Sequence, residues 1–214
     1  MTTAISATML IRNQTKLLAL RQQMRTALVP WVQFAQPHWN HFATLFQIRT
    51  IEEREHVLLP GERIDELYFV CDGLLRAYYL GADGAEANKA FIAENEFAGP
   101  LPTNGSDVPV ICGIQALEPT TLLVAQYADI AALLDLHPVF GQFQRRLAEW
   151  LLSRKEMRMH SLLQGGAREQ YLDFVARFPH LTQRVPQYHI ASYLGISEVH
   201  LSRLRRTLTH ECAS

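Results

Sequence analysis

Hydrophobic and polar positions follow different periods in different parts of the 214-residue chain. Residues 1 to about 45 have helical spacing, with an amphipathic segment over Lys16–Met24 that is terminated by Pro30. A second short helix is predicted over Pro37–Phe46. From Phe46 to about Gln126 the helical spacing is replaced by short β-rich runs separated by Gly, Pro and Asp.

These runs predict seven strands: Phe46–Ile51, His56–Leu59, Leu67–Cys71, Leu74–Leu80, Ala87–Ile92, Val108–Ile114 and Thr121–Gln126. Many short strands at regular spacing favour a β-sandwich, a jelly roll or a barrel. Helical periodicity returns at Asp129–Leu136, which Pro138 terminates, and continues in a longer helix over Val139–Leu163.

The longer helix carries a heptad-like seam, formed by Phe140, Phe143, Leu147, Trp150, Arg154, Met157 and Ser161. A helix that dimerises and a helix that packs on its own β domain would show the same stripe. Of these two interpretations, we favour the dimer. Gly165-Gly166 then forms a natural hinge, followed by a helix over Ala167–Phe178 and a turn over Pro179–Pro186.

The stretch Val185–Arg206 predicts two short helices around a tight turn. Ile190, Ala191 and Leu194 give the first helix an apolar stripe, and Gly195 follows where a left-handed residue ends it. Ser197 is placed to cap the second helix. The second helix has a buried stripe and a polar, basic outer face; the stripe is Leu201, Leu204 and Leu208. This is the helix-turn-helix pattern, in which the second helix enters the major groove of DNA.

Composition narrows the class of protein. Nearly half of the residues are apolar, so the chain can form a sizeable core. The formal net charge is −1, so positive charge for contacting DNA must be concentrated on one face. Cys71, Cys112 and Cys212 show no metal-ligand spacing and favour no disulfide framework. No run approaches the roughly 18 apolar residues that span a bilayer, and residues 1–30 lack an export signal, so we expect a cytoplasmic protein without a membrane partner.

Three stretches together resemble the Crp/Fnr family of bacterial transcription regulators: Tyr68–Arg76, Ala116–Thr120 and the helix-turn-helix. The resemblance covers most of the chain, from about Pro37 to Leu208. It implies an α+β protein with a cyclic-nucleotide-binding-like double-stranded β-helix (jelly roll), a dimerisation helix and a winged helix-turn-helix. The expected divisions are an N-terminal helical extension (1–36), the β domain (37–137), the dimerisation helix (138–164) and the DNA-binding domain (165–214). The resemblance also implies a homodimer that contacts promoter DNA and RNA polymerase.

The nucleotide pocket implied by the resemblance is degenerate. Members that bind cyclic nucleotides use a Glu for the ribose and an Arg for the phosphate. Here Phe97 fits the pattern, but Gly99, followed by Pro100, stands where the Glu is expected. The Arg-Ser pair falls on Val110-Ile111, and no Arg or Lys lies between Lys89 and Arg145. A buried anion without a cationic partner is costly, so we do not expect cyclic AMP, although another small effector is possible.

The resemblance also assigns roles on the second helix. Glu198, Val199, Ser202 and Arg203 would contact bases, with Arg203 binding guanine O6 and N7. Val199 replaces an acidic residue and suggests an altered half-site, with a thymine methyl as one partner. Phosphate contacts are expected from Gln187, His200, Arg205 and Arg206, beside the capping Ser197.

Other classes fit less well. A cupin-type enzyme needs a His/His/Glu metal cluster, and the β region offers only His56. No catalytic triad, phosphate-binding Gly loop or paired carboxylate stands out, so no enzyme is expected. Iron–sulfur and haem sensors are disfavoured, because no Cys precedes Cys71 and neither His38, His41 nor His56 has ligand spacing. The remaining alternative is a sensor or interaction protein of the same fold that no longer binds DNA.

Overall fold

A computed structural model of the protein describes residues 2–99 and 109–212. Within them lie, in chain order, α1 (Thr2–Leu28), α2 (Gln36–Thr44), β1 (Gln47–Ile51), β2 (His56–Leu58), β3 (Glu66–Asp72), β4 (Leu75–Leu80), β5 (Glu86–Ile92), β6 (Phe97–Ala98), β7 (Cys112–Ala116), β8 (Thr120–Gln126), α3 (Tyr127–Leu134), α4 (Pro138–Gln164), α5 (Ala167–Arg177), α6 (Leu181–Arg184), α7 (Gln187–Leu194) and α8 (Glu198–Cys212).

The strands form two four-stranded antiparallel sheets, with the orders β1-β8-β3-β6 and β2-β7-β4-β5. This is a jelly roll, one of the three arrangements that the spacing of short strands favours and the one that the resemblance implies. The two-residue strand β6 was not predicted, since two residues carry no detectable period. Val108, the predicted start of the next strand, lies outside the described residues, and β7 begins at Cys112.

Both faces of the first sheet are buried. In β3, Tyr68 and Val70 point between the sheets, whereas Leu67, Phe69 and Cys71 point toward the helices. Because side chains alternate along a strand, a strand covered on both faces has a continuous apolar run. The run from Leu67 to Cys71 has this cause, and it places one hydrophobic core inside the jelly roll and a second outside it.

Helices α1 to α4 cover the outer face of the first sheet. The end of α1 contributes Met24 and Leu28, and α2 contributes Phe42, which stacks on Phe34 with ring centres 5.1 Å apart. The first half of α4 packs on the same cluster. Phe42 and Phe143 meet edge to face with ring centres 5.0 Å apart, a favourable geometry for aromatic pairs.

This packing corrects the expected dimer seam. Phe140, Phe143 and Leu147 are at most 2% exposed and lie in the chain's own core, so they present no surface to a second chain. Of the other seam residues, Trp150 packs partly buried on the same cluster, Arg154 forms an ion pair with Glu96, and Met157 accepts a hydrogen bond from Arg177. Ser161 is only half-exposed. The prediction is wrong for Phe140, Phe143 and Leu147, because a helix stripe has the same period whichever surface covers it. Met157 is 54% exposed, so its place in a dimer contact stays a prediction.

The outer face of the second sheet is covered by the C-terminal helices. Phe91 of β5 packs on Phe174 of α5 and Tyr193 of α7, with ring centres 5.9 and 5.4 Å away. The predicted turn before α7 contains the short helix α6. Every described element in residues 165–212 is a helix, so the wing implied by the resemblance is not seen there. No helix in the described ranges has the length and apolarity to cross a membrane.

Candidate nucleic-acid interface

Helices α7 and α8 form the predicted helix-turn-helix. Ile190, Ala191 and Leu194 of α7 are each at most 2% exposed. Gly195 ends the helix with φ +70°, a left-handed conformation that costs glycine least, and its N–H donates to the carbonyl oxygens of the last turn. The predicted stripe and the predicted turn residue are both confirmed.

Helix α8 starts as the sequence predicts. The Ser197 hydroxyl oxygen accepts the backbone N–H of His200 at 3.2 Å, which satisfies one of the free donors of the first turn. Leu201 is fully buried, and Leu204 and Leu208 pack partly buried on the same cluster. The apolar side of α8 therefore lies against α5 and α7, and its opposite side faces solvent.

The solvent side carries most of the residues predicted to contact DNA. Val199, Arg203 and Arg206 follow the i, i+4, i+7 spacing that places side chains on one line of a helix, opposite Leu201. Arg205 is half-buried and lies on the flank near the buried stripe. The other predicted residues are also exposed: Gln187, Ser197, Glu198, His200 and Ser202.

The arginines of this face keep their charge available. Within the described part of the chain, no carboxylate lies within 4.0 Å of the guanidinium groups of Arg203, Arg205 or Arg206. The ion pair that α8 does make is at its other end, where Arg168 of α5 binds Glu211 in a two-pronged contact of 2.9 and 2.6 Å. Unpaired arginines on an exposed helix face are suited to phosphates and base edges.

Helix α7 is held on the second sheet by a buried polar network. The Asn88 side-chain amide of β5 donates to the His189 carbonyl oxygen at 2.9 Å and lies 3.0 Å from His189 Nδ1. The Asn88 side-chain oxygen accepts from Arg76 at 3.0 Å, and the Asn88 backbone N–H donates to the Ser192 hydroxyl at 3.0 Å. Arg76 also binds Glu86. Buried polar groups that satisfy one another specify one arrangement of the two surfaces.

Arginines on either side of α7 add to this contact. Arg184 of α6 binds Glu94 in a two-pronged contact of 3.1 and 2.7 Å, and it also binds Glu118. Hydrogen bonds to these two carboxylates raise the pKa of Arg184 above its ordinary value. Arg158 of α4 donates to the Tyr193 carbonyl oxygen, and its guanidinium lies 3.9 Å from the centre of the Tyr193 ring.

Sequence reasoning missed these docking residues. Arg76 alternates with the inward-facing Leu75 and Ala77, so from the sequence its side of β4 could equally have faced solvent. One feature of the sequence could have indicated a buried polar contact here: His189 is a polar residue beside Ile190 in an otherwise apolar stripe.

The predicted pocket residues do not converge on one site. Phe97 points outward into the helix-covered core, where its ring centre lies 5.0 Å from that of Phe69. Gly99 has φ +108°, and a Cβ there would come within 2.9 Å of the Ile64 side chain. Val110 packs partly buried on the inner core, whereas Ile111 is 75% exposed. Pro100 lies outside the described residues.

The space between the sheets is occupied by apolar and aromatic side chains. The buried members of this inner core are Ile51, Leu58, Ile64, Tyr68, Val70, Leu75, Ala77, Ile92, Ala98, Ile114, Ala116, Leu122 and Val124. Within residues 2–99 and 109–212, no group of three or more His, Cys, Asp or Glu could hold a metal ion.

Comparison with known proteins finds a family model that matches the β region. Residues 48–137 match the model of the cyclic nucleotide-binding domain. This segment has the cyclic nucleotide-binding domain fold. A 90-residue stretch is 34% identical to the potassium channel GORK of Arabidopsis thaliana, covering 39% of this chain but only 10% of the channel. The chain therefore spans only about a tenth of the channel's length.

Solved structures extend the likeness beyond the cyclic nucleotide-binding domain. FixK2 from Bradyrhizobium japonicum aligns with a TM-score of 0.70 at 17% identity, over 78% of this chain and 85% of its own. The c-di-GMP-responsive regulator CLP of Xanthomonas campestris gives 0.65 at 16%, over 80% and 90%. The Thermus thermophilus catabolite activator protein gives 0.53 at 20%, over 86% and 87%. The chain thus combines this domain with the helical region in the fold of Crp/Fnr regulators.

Proposed function

We propose that this protein is a homodimeric, sequence-specific DNA-binding transcription regulator of the Crp/Fnr type. The observation that carries the proposal is the solvent side of α8, where Val199, Arg203 and Arg206 form a line without a carboxylate partner. The buried side of the same helix is fixed on α5 and α7, so the exposed line is presented rigidly. Contact with RNA polymerase at promoters and a cytoplasmic location belong to the same proposal.

The dimer contact is proposed on the outer side of α4. Leu152, Met159 and Leu163 are 59%, 57% and 72% exposed and fall at i, i+7 and i+11, which is one face of a helix. This face lies opposite the buried Phe143 and Arg154. Two copies that pack these faces together would bury an apolar stripe that a single chain leaves in water.

Cyclic AMP is not proposed as the effector. The sequence has no Arg or Lys between Lys89 and Arg145 to pair with the cyclic phosphate, and Gly99 supplies no carboxylate for the ribose. Apolar side chains fill the space between the sheets. A nucleotide phosphate buried there would carry a negative charge without a cationic partner, which is costly. Calorimetry with cyclic AMP is expected to show no binding, and a saturable heat at micromolar nucleotide would contradict this part of the proposal.

An unbiased selection of duplex DNA from a random pool, at one fixed salt concentration, tests the main proposal. The full-length protein is expected to enrich a two-fold symmetric site whose half-sites lie about one helical turn apart. The matched control is Arg203→Ala, carried through the same rounds. Enrichment of no sequence by the wild-type protein, or of the same site by both proteins, would overturn the assignment of α8.

A further inference from the structure

The N-terminal segment has an unusual charge. Residues 1–51 contain five Lys or Arg residues and no Asp or Glu, whereas the whole chain has a net charge of −1. All 21 acidic residues therefore follow residue 51. Arg12, Lys16, Arg21 and Arg25 all lie on α1. The N-terminal helix is thus a positively charged element on an otherwise acidic body.

Two of these arginines line a groove between α1 and α2. The groove has a volume of about 410 Å³, and no acidic residue lines it. Its polar and aromatic lining includes Arg21, Arg25, Gln36, Trp39, Asn40 and Thr44. Arg21 and Arg25 are one helical turn apart, a spacing at which like charges destabilise a helix.

Arg21 is only partly satisfied by the protein. Its guanidinium donates to the Phe46 carbonyl oxygen at 2.8 Å and to the Thr44 carbonyl oxygen at 3.3 Å. Its Nε is shielded from solvent and has no hydrogen-bond partner among the described residues. Burial lowers the pKa of Arg21 from its ordinary value. The side chain is therefore a partly desolvated cation that bonds to neutral oxygens only.

Arg25 is held beside it without an ion pair. Its Nη1 donates to the Gln36 side-chain oxygen at 2.7 Å, and its guanidinium lies 5.4 Å from the centre of the Trp39 ring. Among the residues that the structure describes, no carboxylate comes within 4.0 Å of either guanidinium. Two cations and neutral amides thus share one groove with no acidic residue in its lining.

We propose that this groove binds the oxyanion group, phosphate or carboxylate, of a small molecule. The planar guanidinium fork matches the geometry of both groups, and an anion between Arg21 and Arg25 would relieve their mutual repulsion. This site lies outside the jelly-roll interior and does not depend on DNA binding.

Thermal unfolding of the full-length protein tests the site with inorganic phosphate and with acetate, each against chloride at equal ionic strength. A site-bound anion is expected to raise Tm by about 2–4 °C above the chloride value. A rise with phosphate alone indicates a phosphorylated ligand, and a rise with acetate alone indicates a carboxylate. A rise with neither anion would overturn the proposal.

Arg25→Gln should abolish the anion-induced increase in Tm, because it removes a cation from the groove. Arg12→Gln, on the same helix, should still show the increase. If both variants lose the anion-induced increase in Tm, or if both keep it, the increase does not depend on the groove cation in particular. Either result would refute a specific site between α1 and α2. Nuclear magnetic resonance of the arginine Nε–H groups gives an independent measurement in the wild-type protein. The Arg21 signal should shift saturably with the stabilising anion, and an unmoved signal would count against the groove.

Discussion

The side-chain amide of Asn88 donates to the carbonyl oxygen of His189 at 2.9 Å, joining the jelly roll to the first helix of the helix-turn-helix. Its second N–H faces His189 Nδ1 at 3.0 Å. Because the Asn88 oxygen already accepts from Arg76, the amide nitrogen must point toward His189, whose ring accepts as the neutral form. Asn88 therefore contributes to fixing the position of α7 and, through the Gly195 turn, the direction of α8.

Removing this asparagine should loosen the docked helices. Asn88→Ala leaves Arg76 and the His189 carbonyl group short of buried partners, which should cost about 1–3 kcal/mol in the free energy of unfolding. Urea unfolding measures the loss, and hydrogen exchange should rise in α7. Asn13→Ala, an exposed asparagine on α1, is the control and should stay within about 0.5 kcal/mol of wild type. Equal stability of the two variants would contradict the role of Asn88.

The packing of α7 on the second sheet should become less stable as pH falls. Burial, followed by the charge of Arg76, lowers the pKa of His189 to about 4 from an ordinary 6.5, while Glu86 acts in the opposite direction. Between these values the unfolded chain binds a proton that the folded chain does not, so stability must fall as pH falls through this window. The contribution of His189 is fully present above pH 6.5 and is lost as pH approaches about 4.

Urea unfolding at several pH values measures this effect. His189→Gln removes the titrating ring while keeping a side chain that can accept from Asn88. The difference in unfolding free energy between wild type and this variant should change with pH by no more than about 3 kcal/mol. Asp and Glu residues titrate alike in both proteins and cancel in the difference. A difference that stays constant from pH 7 to pH 4 would rule out a buried neutral His189.

The arginines on the outer line of α8 should differ in their effects on DNA binding. Arg203→Ala should weaken specific binding by about 1–3 kcal/mol and relax one base position, because a guanine contact is lost. Arg206→Ala should weaken binding to all sequences alike and lower the slope of affinity against salt by about one counterion. Fluorescence anisotropy with the selected site and its single-base variants measures both. Arg54→Ala is the control, being an exposed arginine on the jelly roll, and should change neither quantity.

The two faces of α4 should respond differently to substitution. Met159→Glu places a charge in the outer stripe and should dissociate the dimer without unfolding the chain, as sedimentation equilibrium would show. Ser153→Glu, on the same helix but outside the stripe, should leave the dimer intact. Phe143→Ala should instead lower the unfolding free energy by about 3–5 kcal/mol, because it opens a cavity in the core. Dimers that survive Met159→Glu would place the contact elsewhere.

The helix-turn-helix could be predicted in detail because its determinants are local. A glycine with positive φ, a serine cap and apolar residues at helical spacing act within a few neighbours, so the sequence alone specifies α7, Gly195 and the start of α8. The presence of an all-β region also followed from local signals, since turns and β-rich runs recur along residues 46–126, whereas the choice of the jelly roll came from the family resemblance. The short strand β6 and the helix α6 escaped prediction because they are too short to show a period.

The partner of each apolar or polar face was decided only by the tertiary structure. The stripe of Phe140, Phe143 and Leu147 indicates that one side of α4 is buried. Only the packing of this side against the aromatic residues of α2 shows that it is buried within the same chain. In the same way, Arg76 and His189 lie 113 positions apart, and only folding brings their side chains into one hydrogen-bond network. The periodicity of apolar residues indicates which side of a helix or strand is buried. The segment that packs against that side is decided by contacts between residues far apart in the sequence, which a local pattern does not specify.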